Sequence, residues 1–539
     1  MGTLADLKMY GRFAWGLRGF LKHTLTLEEA KSIIKKRMEE REINFLRLVR
    51  KGIFGYIKSP YLPLMKLAQC EIGDIESMVR TRGLENTLRA LREAGVYITF
   101  EEFKGREPIA RNGQVFPVQA HDFDNPYLSH YYKGETGGTT GAGTRVDIDL
   151  DHIGAQASFY MVAMDAHGLL NIPAANWRGV LPDPSGILGI LLRARCRFFP
   201  QKWFYPVTKK DFRPSLKNRL AVNFFIIMGR CFGAPIPWPE PVPLDQAMVV
   251  AKWIAETLKD HPKCLLSTNI SMLMRVSLVA QEEGLDLTGA TFMGGGEPPT
   301  PAKVREITRS GVRYIPLYFF METGVVGWGC VRPLDINDLH LFKDGLALIQ
   351  YPRQVPGSDI IVDAFNFTTL LPTAPKVMLN VESDDYGVIE TRSCGCPLES
   401  YGYTEHVRQI RSFRKLTGEG VTLVGSEMIH ILEEVLPAYF GGSPLDYQLL
   451  EEEDKKGFTR LNLIVSPKIE IKNEKEIIKV VLEGLGRSSV AADLARGMWN
   501  QAETLKVKRR EPIWTERGKL MPLHLSQRHQ STIPKGGKK

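Results

Sequence analysis

Apolar residues recur at helical spacing through the first hundred residues. Between Thr26 and Val49, apolar positions three or four residues apart alternate with charges, and Ile75 to Leu91 repeats the pattern. A period near 3.6 residues indicates amphipathic helices that bury one face. We therefore predict a helical N-terminal lead over residues 1–110 that forms part of a larger domain.

From residue 95 onward, β-rich and helical segments alternate. GVYITFEEF (residues 95–103) introduces β-forming composition, RVDIDLD alternates apolar and charged residues, and strand-like runs lie near Thr291 and Tyr314. A helix is predicted from His152 to Met164. This alternation predicts an α/β core over residues 111–415.

Proline density marks one connection inside this core. GAPIPWPEPVPLDQA (residues 233–247) is predicted to be an extended surface segment that precedes a helix over residues 246–259.

Shorter elements follow Lys415. GVTLVG indicates a strand, Ser426 is placed to cap the helix EMIHILEEVL, and YQLLEEEDKKGFTRLNLIVS indicates a hairpin around Lys456 and Gly457, followed by two helices. The chain is therefore predicted to be an α/β protein with a large N-terminal domain and a small α+β C-terminal domain over residues 416–539.

Composition narrows the class of protein. The 539 residues carry a formal net charge of +9, concentrated at the two ends, and they lack an apolar run long enough to span a bilayer. No secretory signal pattern opens the chain, which favours the cytoplasm. No basic platform with interleaved aromatic residues is present, so a nucleic-acid partner is not expected. Seven cysteines without an export signal do not predict a disulfide framework.

A loop rich in glycine and threonine is the strongest chemical signal. KGETGGTTGAGTRV (residues 133–146) offers small hydroxylated residues and flexible glycines, which suit the binding of phosphate oxygens. A P-loop would require GxxxxGK[ST] followed directly by a helix. Here a predicted strand follows, so a P-loop NTPase is disfavoured. A glycine-rich hairpin without a ligand is the alternative.

The pattern TGGTTGAGTRV resembles the phosphate loop of adenylate-forming enzymes, whose common form is [ST][ST]GTTGxPK. The matching positions are Thr136, Gly138, Thr139, Thr140 and Gly141. Gly143 replaces the usual proline and Thr144 the usual lysine. The phenylacetate-CoA ligase branch also lacks that lysine, so the departure indicates this branch.

Further motifs of that family follow in the same order. TFMGGGEPPTPAKV resembles the segment beside the adenine and the acyl pocket. RYIPLYFFMETG resembles the YGxTE motif, although Phe319 and Met321 depart from it. KVMLNVESDDYGVIETRSCGCPL resembles the ribose-binding segment, and the ERGK sequence at residues 516–519 resembles the loop with a mobile catalytic lysine. The resemblance implies site residues at Gly295, Gly296, Glu297, Pro298, Tyr318, Glu322, Asp385 (with Asp384 in reserve), Arg414 and Lys519.

Four residues have the chemistry of a structural zinc site. Cys330, His340, Cys394 and Cys396 form the patterns C-x9-H and C-x-C, and three thiolates with one imidazole would complete a tetrahedral site. Some relatives of phenylacetate-CoA ligase carry a similar site. Buried free cysteines are the alternative.

The resemblance implies a two-step reaction. A carboxylate attacks the α-phosphate of ATP in the presence of Mg²⁺ bound at Glu322, giving acyl-AMP and pyrophosphate, and a thiol of CoA or a carrier protein then forms a thioester. Thr139 and Thr140 would hold phosphates, Asp385 the ribose, and Lys519 would stabilise charge during adenylation. Aromatic and aliphatic residues at positions 176–204 favour an aryl or apolar acid.

Two other classes of protein remain open from the sequence. A non-catalytic adenylate-binding homologue would fit the departures at Phe319 and Met321. A protein that binds anionic surfaces through its basic ends rests on charge alone. A homodimer is compatible with the sequence.

Overall fold

The computed structural model describes most of the chain. The described residues are 3–128, 131–135, 145–207, 215–355, 361–412, 417–418, 421–422, 426–453, 459–485, 505–515 and 517–525.

Helices cover the start of the chain and then alternate with strands. The helices are α1 (Thr3–Lys22), α2 (Leu27–Glu39), α3 (Arg41–Leu48), α4 (Leu62–Leu67), α5 (Ile72–Arg82), α6 (Leu84–Glu93), α7 (Phe100–Phe103), α8 (Leu150–Ala166), α9 (Ser185–Arg195), α10 (Leu216–Cys231), α11 (Met248–Asp260), α12 (Ile270–Glu282), α13 (Pro301–Thr308), α14 (Ser426–His430), α15 (Leu436–Phe440) and α16 (Glu474–Leu485).

Most strands belong to one large sheet. The strands are β1 (Ile109–Arg111), β2 (Gln114–Phe116), β3 (Tyr131–Glu135), β4 (Arg145–Asp149), β5 (Ala174–Trp177), β6 (Lys202–Val207), β7 (Pro239–Pro243), β8 (Cys264–Asn269), β9 (Ala290–Gly295), β10 (Arg313–Phe320), β11 (Gly324–Gly329), β12 (Leu339–Leu341), β13 (Leu346–Gln354), β14 (Ile361–Thr369), β15 (Val381–Thr391), β16 (Glu405–Ser412), β17 (Thr417–Gly418), β18 (Val421–Thr422), β19 (Tyr447–Glu453), β20 (Thr459–Val465), β21 (Leu505–Arg509) and β22 (Leu523–Leu525).

The helices predicted for the start of the chain are present as α1 to α7, while the bounds of the lead at residues 1–110 stay a prediction. α2 begins with a capping box in which the Thr26 hydroxyl accepts from Glu29 N–H and Glu29 accepts from Thr26 N–H. Apolar side chains of α3, α5 and α6 pack with strands β13 to β15 in one core, which includes Phe45, Ile75 and Leu88.

The β-rich interpretation of residues 95–103 is wrong for its second half. Phe100–Phe103 forms α7 because Thr99 and Glu102 make a capping box, which outweighs the β-forming composition. Ile98 alone forms a β-bridge, to Val381.

The large sheet changes from parallel to antiparallel at β10. Its described strands number twelve, in the order β13-β14-β15-β16-β12-β11-β10-β9-β8-β5-β6-β7. Strands β10, β9, β8, β5, β6 and β7 pair in parallel with one another, with α9, α10, α11, α12 and α13 along the connections. Beyond β10 the pairings are antiparallel. The predicted α/β class is thereby confirmed.

The proline-dense segment is a strand and not only a surface connection. Residues Pro239–Pro243 form β7, which pairs in parallel with β6 at the edge of the sheet. An edge strand tolerates prolines because one of its sides needs no ladder hydrogen bonds.

The strand predicted after the glycine and threonine loop is confirmed as β4, which pairs with β3 in an antiparallel hairpin. The loop itself, residues 136–144, lies outside the described residues.

A smaller α+β region follows the large sheet. β19 and β20 form the predicted antiparallel hairpin, β21 and β22 add in parallel, and α16 covers the sheet. The predicted strand GVTLVG is present in part as β18. The turn around Lys456 and the second predicted helix lie outside the described residues. Because residues 413–416 do as well, the domain division at residue 415 stays a prediction.

None of the described helices combines the length and apolar character needed to cross a bilayer.

Candidate active-site cleft

A cleft of about 340 Å³ lies where β9 and β10 end and the C-terminal region meets the large sheet. Parallel neighbours end at the same edge, so the loops after β9 and β10 converge there. Seven of the predicted site residues line the cleft: Gly296, Glu297, Pro298, Tyr318, Glu322, Asp385 and Lys519. Predicted positions separated by most of the chain are thus brought together in one place.

Two glycines allow this convergence. A Cβ on Gly295 would lie 2.6 Å from the Leu317 carbonyl oxygen, so only glycine permits the close approach of β9 and β10. Gly296 has φ of +86°, a left-handed conformation that favours glycine. Gly295 therefore shapes the edge without lining the cleft.

The Glu297 carboxylate already has hydrogen-bond partners within the protein. It accepts hydrogen bonds from the backbone N–H of Ser271 at 2.8 Å and from the Ser271 hydroxyl at 2.6 Å, in the first turn of α12. A carboxylate at a helix N-terminus is stabilised by the unpaired N–H groups and the helix dipole. Glu297 therefore fixes the loop after β9 against α12.

Tyr318 and Asp385 meet across the cleft. The Tyr318 hydroxyl donates to Asp385 Oδ2 at 2.7 Å, and burial together with this carboxylate raises the pKa of Tyr318 well above its ordinary value. Asp385 lies in β15 (Val381–Thr391). Asp384 also lines the cleft.

Glu322 is paired with a lysine that the motifs did not indicate. The Lys104 ammonium donates to Glu322 Oε1 at 2.6 Å, and both side chains are largely buried. Lys104 follows α7 and the segment interpreted as β-rich, and nothing in its spacing signalled a role. The structure thus adds a cation to the predicted metal position.

A buried network fixes the turn that carries Glu322. The Gln156 amide donates to the Thr323 carbonyl at 2.7 Å, and its oxygen accepts from Val325 N–H at 3.2 Å. His152, which lies one turn earlier on α8, has its Nε2 atom 3.2 Å from the Thr323 carbonyl oxygen. Burial lowers the pKa of His152 to about 4, so the imidazole is neutral at physiological pH. α8 therefore supports the backbone directly after Glu322.

Lys519 enters the cleft from the C-terminal region. Its backbone closes a tight turn with Thr515, and its Nζ atom lies 3.2 Å from the position that a Cβ on Gly296 would occupy. The adjacent Arg517 is anchored by its carbonyl, which accepts from the Asn269 amide at 2.6 Å. The lysine is thus held at the end of β9. Glu516 lies outside the described residues.

Arg178 is a second cation that sequence reasoning missed. Its guanidinium donates to the Thr268 carbonyl at 3.0 Å and to Asn269 Oδ1 at 3.2 Å, after β5 and within the cleft lining. Burial lowers its pKa to about 10, which leaves it charged at neutral pH. The signal was an arginine inside the apolar run NWRGV, because arginine is rarely buried without a reason.

The C-terminal region is also attached by a buried ion network beside the cleft. The Lys303 ammonium lies 3.0 Å from Glu433 and 3.8 Å from Glu297, and the Thr300 hydroxyl donates to Glu433. Burial would lower the pKa of Lys303, but the two carboxylates outweigh it and raise the pKa. Lys303 is therefore a shared cation between the two regions.

The four predicted zinc-ligating side chains converge. One potential ligand atom from each of Cys330, His340, Cys394 and Cys396 lies within 4.8 Å of the others, and all except the half-buried Cys394 are buried. Cys330 follows β11, His340 lies in β12, and the C-x-C turn follows β15. The cluster therefore connects β11, β12 and the turn after β15. Glu322 lies just before β11, and Asp385 lies within β15.

Hydrogen bonds around the cluster prepare its atoms for a cation. His340 Nδ1 lies 2.7 Å from the Tyr403 carbonyl oxygen, which can only accept, so Nδ1 carries the proton and Nε2 presents a lone pair toward the sulfurs. The Arg332 N–H donates to Cys330 at 3.3 Å, and the Cys396 N–H donates to Cys394 at 3.4 Å. This donor set fits zinc.

A second group of potential ligands shares Cys330. It consists of Cys330, Asp338 and His406, all buried. Asp338 Oδ1 lies 2.6 Å from His406 Nδ1, and Asp338 also accepts from Arg392. Its carboxylate is thus already satisfied by two cationic or polar partners.

Six predicted site residues lie outside the described residues, so their roles stay predictions. They are Thr136, Gly138, Thr139, Thr140 and Gly141 of the phosphate loop, and Arg414.

Comparisons with known proteins found similarity in structure only. No protein-family model and no curated protein sequence matches the chain. A 2-hydroxyisobutyryl-CoA ligase in complex with 2-HIB-AMP and CoA is 14% identical, with a TM-score of 0.45 over 93% of this chain and 91% of that one.

Two further solved structures are similar. The anthranilate CoA ligase AuaEII in complex with anthranoyl-AMP is 11% identical, with a TM-score of 0.43 over 81% of this chain and 74% of that one. McyG A-PCP complexed with phenylalanyl-adenylate is 13% identical, with a TM-score of 0.41 over 84% of this chain and 63% of that one. At these values the similarities assign neither an activity nor a substrate to this chain.

Proposed function

We propose that the protein activates a carboxylic acid with ATP and transfers the acyl group to a thiol, as an AMP-forming acid–thiol ligase of the phenylacetate-CoA ligase type. One observation carries the proposal. The cleft gathers Tyr318, Glu322 and Asp385 from the large sheet with Lys519 from the C-terminal region, and these are positions that the motifs predict.

In the first step, the acid carboxylate attacks the α-phosphate of ATP, which forms acyl-AMP and releases pyrophosphate. Lys519 stabilises the negative charge that develops between carboxylate and phosphate, assisted by Arg178, which also lines the cleft. Asp385 accepts hydrogen bonds from the ribose hydroxyls in place of the Tyr318 hydroxyl. Thr139 and Thr140 bind the β- and γ-phosphates.

Glu322 offers the carboxylate oxygen for Mg²⁺, which commonly uses one or two protein carboxylates together with substrate phosphates and water. Bound there, the ion would neutralise phosphate charge. Lys104 would compete with it for Glu322, since the Lys104 ammonium donates to Glu322 Oε1. The pair keeps this buried carboxylate neutralised when the cleft is empty.

In the second step, a thiolate attacks the acyl carbonyl and AMP leaves, which gives a thioester. We favour CoA as the thiol and regard a carrier protein as the alternative. Trp177, Phe319 and Met321 line the cleft and favour an aryl or apolar acid. Zinc in the Cys/His cluster completes the proposal as a structural ion.

Pyrophosphate exchange tests the proposal. We expect ATP-dependent exchange of labelled pyrophosphate with at least one acid from a panel of aryl, aliphatic and hydroxy acids, and a thioester of the expected mass when CoA is added. ATP binding by calorimetry without exchange for any acid would favour a non-catalytic adenylate-binding protein. A product only with a carrier protein would identify the alternative acceptor.

A further inference from the structure

One face of α10 is apolar and exposed to solvent. Leu216, Leu220, Phe224 and Ile227 have exposed fractions of 70%, 59%, 39% and 51%. Their spacings of four, four and three residues place them in one stripe along the helix. A continuous apolar stripe of this kind is uncommon on a protein surface that has no partner.

The stripe is not needed to hold α10 in the fold. The opposite face of the helix packs into a core through Val222, Phe225 and Ile226, together with side chains of α1 and α9. The four exposed apolar side chains therefore lie on the face of α10 that points away from this core.

Cations flank the apolar stripe on both edges. On a helical projection Lys217 lies beside Phe224, and Arg219 and Arg230 lie beside Leu216. α10 contains no Asp or Glu. Long basic side chains at the edges of an apolar stripe can reach lipid phosphates while the stripe enters the acyl region.

One exposed tryptophan adjoins α10, and a second lies on the neighbouring helix α1. Trp238 is 44% exposed, and the Arg230 guanidinium lies over its ring at 5.4 Å. Trp15 is 74% exposed on α1, the helix that packs against α10, and Arg18 and Lys22 are exposed on the same helix. Tryptophan prefers the level of the lipid headgroups, because its ring is apolar and its N–H is polar.

We propose that the exposed face of α10, with Trp15 and Trp238, is a peripheral binding surface for anionic phospholipid bilayers. We call it the α10 surface. Charge decides against a second copy of this chain, because a two-fold contact through the α10 surface would bring Arg219 and Arg230 of both copies together. An anionic bilayer complements the same charges.

Vesicle binding tests the proposal on the full chain at physiological salt. We expect the protein to sediment with vesicles of about three parts phosphatidylcholine to one part phosphatidylserine, and far less with phosphatidylcholine alone. Leu220→Glu with Ile227→Glu should weaken binding at least tenfold, because two charges would enter the apolar region. Arg219→Gln with Arg230→Gln should remove most of the preference for the anionic vesicles.

A matched control distinguishes binding through the α10 surface from non-specific hydrophobic binding to vesicles. Ile57 is 91% exposed outside α10, so Ile57→Glu should leave vesicle binding unchanged. Thermal unfolding of the Leu220→Glu with Ile227→Glu and Ile57→Glu proteins should match the parent, since the substituted side chains are solvent-exposed. The arginine variant should unfold at a slightly lower temperature, because Arg230 Nε donates to the Ile236 carbonyl at 2.9 Å.

Three results would overturn the proposal. They are no binding to the anionic vesicles, binding that the α10 substitutions leave unchanged, and a concentration-dependent dimer that Leu220→Glu with Ile227→Glu dissociates in the absence of vesicle binding. The last result, by sedimentation velocity, would assign the α10 surface to a second copy of the chain.

Discussion

The cleft and the Cys/His cluster both collect polar side chains from distant parts of the chain, but they satisfy them in opposite ways. In the cleft, charged and polar groups are paired with one another, as in Lys104 with Glu322 and Tyr318 with Asp385. In the cluster, four potential ligands point to one centre, and the shell around them is fixed by backbone donors and acceptors. The cleft contains pairs that a ligand can exchange, whereas the cluster presents four potential ligands to a single ion, for which we propose structural zinc.

Removal of a cluster ligand should have the largest effect. Structural zinc contributes on the order of 10 kcal/mol in small zinc peptides, so Cys396→Ser should lose the metal and much of the folding stability. Metal content by mass spectrometry and thermal unfolding measure the two losses. Cys231→Ser is the control, because Cys231 is exposed and lies outside the cluster. A Cys396→Ser protein with unchanged metal content and stability would contradict the assignment.

Asp344, beside the cluster, should make stability depend on pH. The Tyr403 hydroxyl donates to Asp344 at 2.7 Å, and burial raises the pKa of Asp344 from 3.8 to about 7. Between these values the folded chain holds a proton that the unfolded chain has lost, so stability falls as pH rises through this window and is constant above it.

The free energy of unfolding should fall by up to about 4 kcal/mol across this pH range, and Asp344→Asn should remove that fall. Denaturant unfolding between pH 4 and pH 8, at values on either side of about 7, measures the slope of each protein. Equal slopes in the two proteins would show that another group causes the dependence. The substitution keeps a side-chain oxygen for the Tyr403 hydroxyl.

Lys519→Ala should slow adenylation and leave thioester formation largely unchanged. Loss of one preorganised cationic contact at the reacting charge typically costs a hundredfold or more in rate, about 3 kcal/mol. Pyrophosphate exchange should fall by that factor, while conversion of supplied acyl-AMP to thioester should change little. Lys506→Ala is the control, since Lys506 is exposed on β21. Equal losses in both steps would remove the adenylation role from Lys519.

Lys104→Met should have the smallest effect and the opposite sign. Without the ammonium, Glu322 should bind Mg²⁺ more tightly, and a partly buried charge interaction of about 1 kcal/mol corresponds to a roughly fivefold lower half-saturating Mg²⁺ concentration. Arg106→Met is the control, because Arg106 lines the cleft but pairs with Glu101. A higher Mg²⁺ requirement in Lys104→Met would indicate that Lys104 binds the phosphates instead.

The family motifs predicted which residues line the cleft better than composition predicted the type of individual secondary-structure elements. Tyr318 and Glu322 lie at and directly after the end of β10, which is a predicted strand, whereas Asp385 lies within β15 and Lys519 between β21 and β22. The family motifs, and not the local patterns, indicated the last two positions. Their roles stay predictions. Lys104 could not be predicted, because its partner Glu322 lies 218 positions away and only the packing of α7 on β15 brings them together.

Local patterns failed where long-range pairing or capping decided the outcome. Composition assigned Phe100–Phe103 to a β-rich segment, but a capping box made it helical. The prolines of residues 239–243 suggested a connection, yet a free edge beside β6 accepted them as a strand. Both outcomes depend on which hydrogen-bond partners are available in space, and this information is absent from composition.

The Lys303 ammonium would keep a counter-ion if the C-terminal region moved away from the large sheet. Its ammonium lies 3.0 Å from Glu433 of that region and 3.8 Å from Glu297 of the large sheet. If Glu433 moves away, Glu297 remains as a reserve counter-ion, so the lysine changes partner instead of losing one. The cost of separating the two regions therefore falls mainly on Glu433, which carries its charge outward to water.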